Sequence, residues 1–136
     1  MARLRTLWVI HTTSAQGDAN TDERFRMIIK DSSAQRTELV LPSLQHDERE
    51  RGRTDEYVFN LEGGRFIEME TLRPADIGIE ITGGNAWLPK SIWVIGQDVQ
   101  GGRKLLAAQP SWPSDGWFST QTSDAGARAK PVRFMG

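Results

Sequence analysis

Apolar and polar residues alternate with a period of two along most of this chain. Phe25, Met27 and Ile29 alternate with Arg24, Arg26, Ile28 and Lys30, which is the pattern of a half-buried strand with a basic outer face. Tyr57, Phe59 and Leu61 alternate with Glu56, Val58 and Asn60, and Ile77, Ile79 and Ile81 alternate with Gly78 and Glu80. Side chains on a strand point to opposite faces in turn, so each set marks one buried sheet face. Further strands are predicted over 4–12, 36–41, 66–72, 91–97, 103–108 and 130–134. Gln16-Gly17-Asp18, Glu62-Gly63-Gly64, Arg73-Pro74-Ala75-Asp76 and Gln100-Gly101-Gly102 supply turns between them, the last as a hairpin. No segment keeps a 3.6-residue period. The expected fold is therefore all-β, an antiparallel sandwich or barrel of about eight strands.

Residues 1–108 read as the sandwich itself. Residues 109–136 turn to Pro, Ser, Asp, Gly and Trp and read as a wrapping connection followed by a last strand of the same domain. Trp112, Trp117 and Phe118 act there as pins holding the connection down. Thr21-Asp22-Glu23 and Thr54-Asp55-Glu56 echo each other, but Asp22 is out of phase with Phe25 while Asp55 is in phase with Tyr57. The echo is no repeat.

A chain of 136 residues is long enough for one real core. Charged residues make up 26% with a net charge of −1, so no basic stripe exists to hold a nucleic acid. The absence of cysteine removes disulfides, thiolate metal sites and cysteine nucleophiles. Met1-Ala2-Arg3-Leu4-Arg5 leads into too short an apolar run for a secretion signal, and no run has the length of a membrane span. A cytoplasmic location, with peripheral membrane contact, is expected.

Three turns are rich in oxygen. Gly17-Asp18-Ala19-Asn20-Thr21-Asp22 precedes one strand, His46-Asp47-Glu48 another, and Gly83-Gly84-Asn85-Ala86 the apolar run around Trp93. Gathered at one end of a sandwich, such turns offer the hard oxygen ligands that Ca²⁺ takes. Taken singly, each is an ordinary Asx turn bending the chain before a strand.

The order Asn20-Thr21-Asp22, then Glu50-Arg51-Gly52, Thr54-Asp55, Tyr57 and Phe59, then Trp87 and Ile92-Trp93-Val94-Ile95 resembles the PLAT/LH2 domains of lipoxygenases, pancreatic-type lipases and polycystins over residues 7–106. Within that family the likeness is greatest to the calcium-dependent, membrane-binding C-terminal domains of clostridial phospholipase C toxins. The resemblance implies two four-stranded sheets. It also implies one ion site with the Asp18 carboxylate, the Asn20 carbonyl, the Asn85 side chain and the Ala86 carbonyl, and a second with Thr21, Asp22, Asp47 and Glu48. Two positions depart from the family: Asn20 replaces a glycine, and Asn85 replaces a charged ligand, which weakens a Ca²⁺ site.

The resemblance further places Trp87 and Leu88 at the rim of the ion site as a membrane-binding pair, since indole favours the headgroup interface. A tryptophan at this position also caps the core, which is the reading favoured for Trp87 and leaves Leu88 as the exposed tip. Arg24, Arg26 and Lys30 share one strand face that can meet anionic headgroups or stay solvated. No hydrolase, zinc-protease, phosphate-loop or dinucleotide motif is present, and Glu68 and Glu70 are sheet-surface carboxylates by default. The expected function is a non-catalytic module that docks on membrane lipid or a membrane-associated protein, with Ca²⁺ as its candidate cofactor. The alternatives are a metal-independent protein-interaction module and, more weakly, a lectin-like sandwich with Trp112 or Trp117 stacked on sugar.

Overall fold

Among the described residues eight strands fall where the sequence predicts them: β1 (Leu4–Thr13), β2 (Phe25–Lys30), β3 (Arg36–Val40), β4 (Thr54–Asn60), β5 (Ile77–Ile81), β6 (Pro89–Asp98), β7 (Arg103–Gln109) and β8 (Val132–Phe134). The computed structural model describes residues 2–14, 25–30, 36–40, 54–61, 66–81, 87–113, 118 and 132–135. Antiparallel pairing builds two four-stranded sheets, β4-β1-β6-β7 (sheet I) and β3-β2-β5-β8 (sheet II). The protein is an all-β sandwich.

The inner faces meet through Leu7, Val9, Tyr57, Phe59, Ile92, Val94 and Leu106 of sheet I and Met27, Ile29, Ile77, Ile79 and Ile81 of sheet II, all buried. Burying such side chains is worth about 1.5–3 kcal/mol each before chain entropy is subtracted. This apolar layer is what holds the two sheets together. Asp55 lies on the same buried face of β4 as Tyr57 and Phe59, in the phase the sequence gives it.

The strand register defines two poles. At the upper pole β1 ends while β4 and β6 begin (Thr12 opposite Thr54, Thr13 opposite Pro89), and β7 ends (Gln109 opposite Ile92). In sheet II, β2 begins there while β3 and β5 end (Arg26 opposite Val40, Phe25 opposite Ile81), and β8 begins (Val132 opposite Glu80). The lower pole carries the β6–β7 hairpin. Asp98 Oδ1 accepts the amides of Gln100 and Gly102, both at 2.9 Å, and Gly101 takes φ 92°, a left-handed backbone that glycine adopts without a Cβ penalty. The described N-terminal end is tied down at this pole, where Ala2 donates its amide to Glu68 Oε1 at 2.9 Å. The Met135 amide bonds the Ile77 carbonyl at 2.8 Å, and its own carbonyl accepts from Gln109 Nε2, at the far end of β7, at 2.7 Å.

The strand predicted over 66–72 does not form. Its alternation is real, with Ile67 and Met69 buried and Phe66 and Glu70 exposed, but among the described residues only one bridge links it to a neighbour, Arg3 opposite Glu68. The chain then turns over 69–72, and the Lys104 ammonium donates to the carbonyls of Met69, Glu70 and Leu72. Period two reports which side faces the core; a strand also needs a partner along its length. Glu68 is accordingly a clamp on Ala2 and not a sheet-surface carboxylate.

The outer faces of the two sheets differ in kind. On sheet II, Arg26 pairs with Glu38 (3.0 Å) and Glu80 (3.9 Å), and Arg36 pairs with Glu38 (3.0 Å) and Glu80 (3.8 Å). The expected basic face is thus neutralised at Arg26 by carboxylates on the flanking strands β3 and β5; Arg24 lies outside the described residues. Phe134 lies over Gly78, where a Cβ would come within 2.9 Å of its ring. On sheet I, the outer face presents Trp8, Ile10, Val58, Trp93, Ile95 and Leu105.

Candidate functional site

All three oxygen-rich turns depart from and return to the upper pole. Residues 15–24 join β1 to β2, 41–53 join β3 to β4, and 82–86 join β5 to Trp87 ahead of β6. Each passes from one sheet to the other. The last has six peptide steps, with a reach of at most about 20 Å. That crosses the ~10 Å between packed sheets but cannot also run the length of β6, so the upper ends of the two sheets must coincide. The β7–β8 connection starts and finishes at this same pole. Asp18, Asn20, Thr21, Asp22, Asp47, Glu48, Asn85 and Ala86 themselves lie outside the described residues.

What is described is the floor beneath these turns. Trp87, fully buried, donates Nε1–H to Thr13 Oγ1 at 2.9 Å, and its backbone exchanges two hydrogen bonds with Phe118 at 2.9 and 2.8 Å. Phe118 stacks against Trp112 with ring centroids 5.7 Å apart, and Trp87 lies edge-on to His11 at 4.9 Å. His11 in turn lies 5.3 Å from Tyr57. The result is a continuous aromatic layer that closes the core at the upper pole. Offset and edge-on rings of this kind add to plain area burial. Trp112 and Phe118 serve as the expected pins; Trp117 lies outside the described residues.

Polar side chains are buried in the same layer. His11 and Asp55 sit directly opposite each other in the β1–β4 register, at 1% and 2% exposure, with fully buried Thr13 one pleat above. The two ionisable groups therefore share one sealed face beneath the pole. The sequence places His11 in a strand but does not show that Asp55 lies opposite it in the register; the missing signal is the strand order, which alternation cannot supply.

Trp87 thus caps the core, as the favoured reading has it. Leu88 corrects the expectation of an exposed apolar tip. It is 1% exposed, because its carbonyl accepts the Ser14 amide at 3.0 Å and so draws the chain against the end of β1. Both side chains of the expected membrane-binding pair are buried in this structure. Among the described residues no three metal-ligating side chains cluster, and no helix is long and apolar enough to cross a membrane.

Solved structures repeat this architecture. The alpha-toxin of Clostridium absonum matches over 99% of this chain and 32% of its own, with TM-score 0.67 at 15% identity. The alpha-toxin of Clostridium perfringens from avian strain SWCP matches over 98% and 32%, with TM-score 0.67 at 20% identity. Coral 8R-lipoxygenase, whose structure is described as showing calcium activation via a C2-like domain, matches over 83% of this chain and 15% of its own, with TM-score 0.58 at 18% identity. The chain has a PLAT, or C2-like, fold. The PLAT-like sandwich spans about a third of the toxins' length and less of the lipoxygenase. No protein-family model matches the sequence, and no curated protein does.

Proposed function

We propose that this PLAT-like sandwich is a non-catalytic docking module that meets a lipid surface, or a protein held on one, through the connections at its upper pole, with Ca²⁺ bound between them. The observation that carries this reading is the convergence of the flanks of 15–24, 41–53 and 82–86 at one pole above a rigid aromatic floor. Asp18, Asn20, Asn85 and Ala86 would hold one ion, and Thr21, Asp22, Asp47 and Glu48 a second. An ion seated there supplies positive charge that bridges protein carboxylates to lipid phosphates. The calcium-activated C2-like domain of the coral lipoxygenase and the clostridial toxins' shared fold support the reading.

The test is sedimentation with phosphatidylserine-containing vesicles together with thermal unfolding, each with Ca²⁺ and with chelator. Binding and a raised melting temperature that both require Ca²⁺, and that Asp22→Ala and Asp47→Ala remove, are the expected result. Indifference of both measurements to Ca²⁺ removes the ion from the proposal. Failure to bind any vesicle with or without Ca²⁺ removes the lipid.

A further inference from the structure

A separate surface lies on the outer face of sheet I. One rung of the register runs Val58, Trp8, Ile95, Leu105 across all four strands, and the next runs Glu56, Ile10, Trp93, Ala108. Val58 and Leu105, at the two edges, are 52% and 53% exposed; the four central side chains are half-buried. None of the other described elements packs over this face. Sheet II, in the same molecule, carries ion pairs among Arg26, Arg36, Glu38 and Glu80 on its outer face, beside the buried Ile28. A sheet whose two faces are both apolar is the pattern of a sheet covered on both sides, and contiguous exposed patches of this kind mark interaction sites.

We propose that this face packs against the same face of a second copy of the chain, about a two-fold axis that runs parallel to the strands between β1 and β6. The rungs are complementary under that rotation. Val58 of each copy falls over Leu105 of the other, Trp8 over Ile95 and Ile10 over Trp93, so that each indole meets a branched aliphatic and not another indole. Charge agrees as well. Glu56 falls over Ala108, and Arg103, whose guanidinium lies 5.3 Å from the Trp8 ring, falls toward Asn60, so no like charges are apposed. Aromatic residues with arginine at their edge are the composition that interfaces favour. β1 and β6 are ten residues long and the edge strands β4 and β7 seven, giving a four-stranded face averaging roughly 28 by 19 Å. That is about 530 Å² in plan before side-chain relief, towards the ~800 Å² that each partner buries in a standard dimer. The axis leaves both upper poles on the same side of the pair.

The test uses sedimentation velocity on the full chain, without lipid or added metal, from micromolar to sub-millimolar concentration. A reversible dimer is expected. Val58→Lys and Leu105→Glu, both at exposed positions, should keep the wild-type circular dichroism and, at concentrations where the wild type is monomeric, its melting curve. Each should weaken dimerisation about a hundredfold or more, because the two-fold buries the new charge twice. An equimolar mixture of the two variants should dimerise again, since the new lysine meets the new glutamate at one contact and the other contact is unaltered. A wild-type chain that stays monomeric throughout, a dimer indifferent to both substitutions, or a mixture that stays monomeric overturns the proposal. Loss of vesicle or glycan binding in both variants of a monomeric chain would also overturn it and assign the face to lipid or sugar. Because the assay contains neither Ca²⁺ nor membrane, its outcome is independent of the upper-pole reading.

Discussion

At the lower pole the chain reverses between β6 and β7 within Asp98–Gly102 on hydrogen bonds whose donors and acceptors lie at most four residues apart, whereas the floor of the upper pole joins Thr13, Trp87 and Phe118, the first two 74 positions apart in sequence. Local backbone geometry makes the first frame. Side chains from distant strands make the second. The difference lies in what each pole leaves to the connecting segments. The upper floor is assembled by strand residues together with Trp87, Trp112 and Phe118, none of which belongs to the connections 15–24, 41–53 and 82–86. That separation of scaffold from variable connection is where binding residues commonly sit.

Substitutions can break this contrast at either end. Trp87→Ala should have the largest effect, about 3–5 kcal/mol of lost stability from a buried aromatic truncated in a packed layer, read as a fall in urea midpoint. Asp98→Ala should cost roughly 2–4 kcal/mol through the two orphaned amides of the hairpin, and it should leave any Ca²⁺ response intact because the poles are independent. The ion itself should stabilise by about 1.4 kcal/mol at ten times its dissociation constant, visible by calorimetry and absent in Asp22→Ala; Asn85→Asp should sharpen the effect by lowering the Ca²⁺ midpoint. Gly101→Ala should cost about 1 kcal/mol by denaturant titration, purely for its left-handed backbone, since no other atom lies within 4 Å of the added Cβ. The smallest change is expected from Arg26→Ala, below ~1 kcal/mol for exposed ion pairs.

The strands were legible because each shows one face to the core, and period two reports that burial directly. Ile77–Ile81 could be read to the residue, as the proline turn before it fixes where extension begins: Asp76 accepts the Arg73 amide at 2.9 Å. Residues 66–72 misled for a related reason, since Ile67 and Met69 face the core without a continuous partner strand. Leu88 misled because its burial follows from one backbone hydrogen bond to Ser14, and no side-chain pattern encodes that. The apolar outer face of sheet I was in plain view as Trp8 and Ile10 interleaved with Leu7, Val9 and His11, yet a strand apolar on both sides yields no alternation to read. The meeting of 15–24, 41–53 and 82–86 at one pole depends on strand order, which the sequence suggested only through likeness to a family.

Ala2 is anchored at the lower pole, so a tether added ahead of it leaves the sandwich at the end opposite the one where β1 stops and β4 and β6 start. Immobilised on a sensor chip through that end, the protein presents its upper pole to injected vesicles. Attachment behind Met135 lacks this advantage, because the Met135 carbonyl is bonded to Gln109 at the upper end of β7.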